Sequence, residues 1–194
     1  MLLGVLTIFI MVIVTYAFWQ EGALTAFTMM CNVFAAGLVA FCFWEPIAEQ
    51  LDPLLAGTIL HGYEDSVCLI ALFCLTLGLL RLATNNLANR LVDYHPVLQQ
   101  GGSVICGLMT GYLASGFLLC VLQTLPWHRN FMGFEAKVDP DASGAKLRRV
   151  LPADRMWLAL MHRAGLGPLA QEGPTFDADG SFEDRYQRYR REGD

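Results

Sequence analysis

The chain has 194 residues, 55% of them hydrophobic and only 16% charged, where an ordinary soluble domain carries about 45–50% and about 25%. All 13 Lys and Arg lie at or after Arg81, and 11 of them lie from Arg129 onward together with 11 of the 18 acidic residues. That partition excludes one uniform soluble globule, and without a concentrated basic face nucleic acid is not an expected partner.

The division predicts a membrane-embedded front, residues 1–128, and a polar tail, residues 129–194. A bilayer core of about 30 Å needs about 20 apolar residues of helix. Leu2 to Trp19, Gly22 to Trp44 and Gly101 to Leu125 carry no charge, and each approaches or exceeds that length. Ser66 to Leu80 is shorter, bounded by Glu64-Asp65 and Arg81; beside three stronger spans it reads as a fourth, with Arg81 snorkelling toward the interface. No positive charge precedes Leu2, so the first segment reads as a span rather than a signal peptide. Gln20-Glu21-Gly22 then forms the turn of a helical hairpin.

After the second span, Pro46 suits a first helical turn. Ile47, Leu51, Leu54 and Leu55 recur at helical spacing with Glu49 and Asp52 off that face. This predicts a short interfacial helix; the sharper alternative, a cation site of Glu45, Glu49 and Asp52, lacks any fixed geometry. Beyond the third span, Leu80, Ala83, Leu87, Leu91 and Tyr94 form one stripe. Arg81, Asn85 and Asn89 form another before Pro96. An amphipathic face is the common use of such a pattern; a polar pathway lined by Asn32, Arg81, Asn85 and Asn89 is the sharper one.

Association in lipid relies on close packing and interhelical hydrogen bonds. Span four offers Gly107, Gly111 and Ser115 at four-residue spacing, with Gly102 and Gly116 as further thin places. Span two offers Asn32, Ala36 and Ala40. These two strips are expected to meet, within one chain or between copies, with Asn32 as interhelical glue.

Chemistry is less visible. The six Cys fall inside the expected spans without a CxxC and read as packing residues, and the four His stand singly near the interfaces or in the tail, so no metal site is expected. No nucleophile elbow, phosphate loop, zinc-protease helix or dinucleotide fingerprint occurs. The expectation is therefore a protein that is not an enzyme and carries no cofactor. Asp139 to Gly144 has oxygen ligands in a calcium-loop pattern, but its twelfth position is Val150; Asp177 to Ser181 has its Gly two places early. Surface turns explain both. The tail holds one helix, about 152–164, with Met156, Trp157, Leu160, Met161 and Ala164 on its apolar face and Asp154, Arg155, His162 and Arg163 mostly off it. That face should dock on the membrane or on the bundle. The basic, aromatic run Arg185 to Arg191 reads as a solvated tail or, alternatively, an anionic-lipid or partner contact.

The fold expected is all-α: a four-helix transmembrane bundle with short amphipathic interfacial helices and a polar C-terminal tail. This arrangement resembles the colicin V production protein (CvpA) family of bacterial inner-membrane proteins. The resemblance rests on the first turn and its run into span two, Gln20-Glu21-Gly22-Ala23-Leu24-Thr25-Ala26-Phe27. It rests also on Asp93, Gly101-Gly102 and Gly107-Leu108-Met109-Thr110-Gly111 leading through span four. Trp44-Glu45-Pro46-Ile47 and Pro152-Ala153-Asp154-Arg155-Met156-Trp157 look like longer members. Glu21 and Thr110 stand where the family often has Arg, so no role of those arginines transfers. The resemblance implies a multi-pass protein linked to colicin V production or export and to envelope phenotypes. Its partners would be the lipid bilayer, further copies of itself or other envelope proteins. Some relatives carry a serine protease behind the spans; this tail has no nucleophile motif for one.

Four spans place both termini on one side. Arg81 and Arg90 favour a cytoplasmic third loop, which puts the termini on the outer, periplasmic side; Arg129 and Lys137 vote the other way. A non-enzymatic scaffold or accessory is the leading expectation, with a small oligomeric channel or transporter subunit as the alternative.

Overall fold

The computed structural model describes residues 2–55, 63–88, 96–125 and 152–166, and Phe182. Nearly all of those residues are helical, with no strand among them: α1 (Leu2–Trp19), α2 (Ala23–Leu55), α3 (Glu64–Ala88), α4 (Pro96–Thr124) and α5 (Ala153–Leu166). Three helices are long and apolar enough to cross a membrane, over Ala23–Leu51, Glu64–Asn85 and Gln99–Thr124. The apolar stretch of α1, Leu3–Trp19, is shorter.

The expected interfacial helix after span two does not exist as a separate element, because α2 runs unbroken through Pro46 and Pro53. Proline inside a helix removes a hydrogen bond and crowds the preceding turn, so something must hold the helix together there. Ala36, Ala40, Trp44 and Ala48 lie at four-residue spacing and are all buried, whereas Pro46 is exposed. The buried stripe thus continues past the proline on the opposite face. α3 begins at Glu64 and runs to Ala88, past the apolar span's end at Leu80, as the stripe of Leu80, Ala83 and Leu87 predicts.

The helices lie in the spatial order α1, α4, α2, α3. α1 packs on α4, α4 on α2 and α2 on α3, while α1 and α2 barely touch. The reason lies in the turn that links them. Gly22 has φ +93°, a left-handed conformation that favours glycine, and the Glu21 amide closes the turn on the Phe18 carbonyl at 3.1 Å. The start of α4 enters between the two helices there: the Ser103 hydroxyl donates to the Phe18 carbonyl. A Cβ on Gly102 would stand 2.8 Å from that of Ala23, and one on Gly22 3.1 Å from Gln99 Nε2. The expected hairpin is therefore splayed, with α4 in its crotch.

Small residues bring α1 and α4 together. A Cβ on Gly107 would lie 3.0 Å from Thr15 Cα, and one on Gly111 2.7 Å from Met11 Cα. The hydroxyls of this interface are turned back onto their own helices. Thr7 donates to the Leu3 carbonyl (3.0 Å), Thr15 to Met11 (2.6 Å) and Thr110 to Cys106 (2.7 Å). Their hydrogens are thus satisfied without water. Within the chain, the strip of Gly107 and Gly111 meets α1 and not the Asn32, Ala36, Ala40 face of α2, and Ser115 is buried with its hydroxyl on the Tyr112 carbonyl (2.8 Å). The sequence shows two small-residue strips but not which helix each of them faces.

The main core sits at the opposite end from the Gly22 turn. Phe41, Trp44, Leu69, Phe117, Val121, Trp157 and Phe182 form one buried cluster drawn from α2 to α5 and beyond. Trp157 is 1% exposed and stands edge-on to Phe117 at 5.9 Å. Phe73 stacks on Phe117 at 4.0 Å. α5 lies close because glycine leaves room: a Cβ on Gly37 would overlap the Trp157 ring, and one on Gly116 would stand 2.5 Å from the Ala153 carbonyl. The tail helix therefore docks on the bundle, and its face differs from the expected one. Ala153, Asp154, Trp157, Leu158 and Met161 are buried, whereas Met156 is exposed.

Candidate functional site

Polar residues in apolar helices gather at two places. The first closes the core end of the molecule. The Ser66 and Thr124 hydroxyls share a hydrogen bond of 2.7 Å, and Gln123 Nε2 donates to Asp154 Oδ2 at 3.1 Å. Asp154 was expected off the packed face, yet it is 1% exposed. It occupies the first turn of α5, where the helix dipole favours a carboxylate. This cluster ties α3, α4 and α5 together, and it is filled.

The second place is open. A cavity of about 440 Å³ lies between α2 and α3 at the Gly22 end, lined by Phe18, Glu21, Thr25, Thr28, Met29, Asn32, Arg81, Thr84 and Asn85. On α2, Thr25, Thr28 and Asn32 recur at three- and four-residue spacing, so they share one face. On α3, Arg81 and Asn85 do the same, with Thr84 beside them. The two helices run antiparallel. Asn32 meets Thr84, while Ala48 lies in one cluster with Cys68 and Leu69 nearer the start of α3. Arg81 is accordingly one turn farther from the mouth than Thr84, and Asn32 is roughly 15 Å below Gly22 at 1.5 Å per residue.

The hydrogen-bond inventory of the cleft decides what it offers. Asn32 Nδ2 donates to Thr84 Oγ1 at 2.9 Å, and Thr84 passes its own hydrogen to the Leu80 carbonyl at 2.8 Å. Thr28 gives its hydrogen to the Thr25 carbonyl at 2.9 Å. Asn32 is 6% exposed, whereas Glu21, Arg81 and Asn85 are exposed. Among the described residues no ion pair joins Arg81 to a carboxylate. The groups left with hydrogens to give are the Arg81 guanidinium, the Asn85 amide, the second Asn32 hydrogen and the Thr25 hydroxyl. The cleft is a donor-rich cavity with one acid, Glu21, at its mouth.

No family model, curated protein or solved structure matches the chain.

The structure thus brings Asn32, Arg81 and Asn85 to one cavity, and places Asn89 outside the described residues. Glu21, Thr25 and Thr28 also line it and were not singled out for it from the sequence; the i, i+3, i+7 spacing of Thr25, Thr28 and Asn32 was the available signal. Ala36 and Ala40 are fully buried in the packing of α2. Glu45 and Glu49 lie exposed on α2. No group of three His, Cys, Asp or Glu among the described residues is arranged to hold a metal ion. The Asp139 and Asp177 turns, His61, His95, His128 and the basic run from Arg185 lie outside the described residues.

Proposed function

We propose that this chain is an integral, multi-pass protein of a bacterial inner membrane, similar in kind to the CvpA proteins. It works as a non-enzymatic scaffold or accessory in toxin production and export or in envelope maintenance. The observation that supports this most is the open row of helices. α1 and α3 stand at its two edges, and each keeps a long apolar face uncovered: Val5, Phe9, Val12 and Tyr16 on α1, Leu75, Leu79 and Leu82 on α3. Such faces suit lipid and the helices of further membrane proteins alike. Photo-crosslinking groups placed at Phe9 and Leu75 in cells should yield protein adducts, to a second copy or to another envelope protein. Adducts to lipid alone from both positions, with a monomer throughout, would remove the scaffold reading.

A second reading, a small oligomeric channel or transporter subunit, is favoured by the polar cleft, since ionisable groups within membrane helices usually mark a functional path. Reconstituted protein should then carry a flux that Asn32→Leu reduces. Leu3, Leu119 and Ala153 share a cluster, so the start of α1 and the tail helix lie at one end; a reporter fused at Asp194 should report the periplasmic side.

A further inference from the structure

We propose that α5 is an interfacial helix whose outward side binds anionic phospholipid headgroups through Arg155 and Arg163. This goes beyond both functional readings and rests on the membrane placement they share. Depth is the first support, because α5 starts where three apolar runs end. Ala153 clusters with Leu3 at the beginning of α1, and Asp154 accepts a hydrogen bond from Gln123 at the end of α4. Trp157 and Leu158 share the core with Trp44, the last residue before Glu45 on α2. From Ala23 to Trp44 the helix rises about 32 Å at 1.5 Å per residue, close to the thickness of a bilayer core. The Gly22 turn, with Tyr16 and Trp19 exposed near it, thus marks one headgroup level, and the start of α5 marks the other.

Charge is the second support. The single acid of α5, Asp154, is turned inward and buried, whereas Arg155 and Arg163 are exposed. They stand two turns apart on one side of the helix, about 12 Å along its axis. Neither is paired with a carboxylate among the described residues, so each guanidinium fork is free to take a phosphate of its own. A zwitterionic headgroup offsets that attraction with its ammonium group; an anionic one does not. The neighbouring side chains favour a lipid over a free anion. α5 packs on α4 and α2, with the Trp157 ring over Gly37, so its inward side is taken by spanning helices and its outward side faces the bilayer. Met156, next to Arg155, is exposed, and Leu160, one turn on, is half-buried. Such a helix seats its apolar flank among acyl chains, while the arginine stems carry their charge up to the phosphates.

The test uses the full chain, stripped of lipid in detergent and then offered phosphatidylglycerol, phosphatidylethanolamine or glycerophosphoglycerol, which has no acyl chains. Bound species are read by native mass spectrometry. The run from Arg185 to Arg191 stays intact throughout, so a change in binding is owed to α5. Phosphatidylglycerol should be retained in preference to phosphatidylethanolamine. Arg155→Gln should weaken its binding about fivefold, and Arg155→Gln with Arg163→Gln about thirtyfold, the effect of one and of two cations at an anionic surface. Arg155→Lys with Arg163→Lys should keep most of the preference, with helix content by circular dichroism unchanged in every variant. Equal retention of the two lipids by the unmodified chain, or retention undiminished in the double Gln variant, overturns the proposal. So does a loss in the double Lys variant as complete as in the double Gln one, or glycerophosphoglycerol bound as tightly as the lipid. Release of the protein from membranes by an alkaline wash would bring down the membrane placement and the proposal with it. A protein that withstands the wash and shows no lipid preference refutes the proposal alone.

Discussion

Gly111 has no room for a methyl group, because the nearest atom to its Cβ position is the Met11 Cα at 2.7 Å, backbone that moves only if α1 moves. Gly78 on α3 is the opposite case, with nothing within 4 Å of the same position. Gly111→Ala should therefore cost about 1–3 kcal/mol, the usual penalty of overpacking. Gly78→Ala should be neutral or stabilising by up to about 1 kcal/mol, the helix propensity gained over glycine. Thermal unfolding of the two variants in one detergent checks the contrast, and equal losses would contradict the α1–α4 contact. Asn32 calls for a smaller number. Its amide reaches Thr84, but the Thr84 hydroxyl keeps its bond to the Leu80 carbonyl when Asn32 is removed. Asn32→Leu should thus lower stability by only about 0.6 kcal/mol, the average for a hydrogen bond between membrane helices. Detergent-denaturation midpoints measure this. A loss several times larger would mean that Asn32 holds more than one helix.

At the level of elements, α5 is held by one large side chain in a slot cut by two glycines. The Trp157 ring sits over Gly37 of α2, and its Cβ lies 3.0 Å from the position a Gly116 Cβ would take. Removing such a ring from a core costs about 3–5 kcal/mol, more than a helix of 14 residues can supply alone, since isolated helices of that length are marginal in water. Trp157→Ala should release α5, and trypsin should then cut at the exposed Arg155 and Arg163 far faster than in the unmodified chain. Unchanged cleavage would place the anchor elsewhere. The existence of α5 was readable from its apolar spacing, as were the long apolar helices from their missing charges. Its docking face was not readable, because Asp154 looks like a surface residue until Gln123 is beside it, and Gly37 looks like any glycine until Trp157 fills its place. Pro46 misled for a related reason: a local rule starts a new helix there, and the buried line of Ala40, Trp44 and Ala48 shows the same helix running through. In the cleft, Arg81 and Asn85 showed their shared face by spacing alone. Their meeting with Asn32 depended on the antiparallel register of α2 and α3, which no local pattern encodes.

For the whole molecule, the order α1, α4, α2, α3 follows from the splayed first turn. A tight hairpin would set residues at similar distances from Gln20-Glu21-Gly22 side by side, so Thr7 of α1 would come close to Ala36 of α2. With α4 between them, Thr7 and Ala36 are both buried, at 1% and 0% exposure, yet the helices that bear them barely touch. Leu3 and Leu119, by contrast, belong to one cluster with Ala153. Replacing the six native cysteines and introducing pairs tests this order. Leu3→Cys with Leu119→Cys should be joined by a short bis-maleimide within one chain, and Thr7→Cys with Ala36→Cys should not. The reverse outcome would restore a hairpin and close the row into a different bundle. The row leaves α3 bound chiefly to α2, and its apolar outer face uncovered, so α3 can shift against α2 without breaking the α1–α4 contact that holds the other edge together.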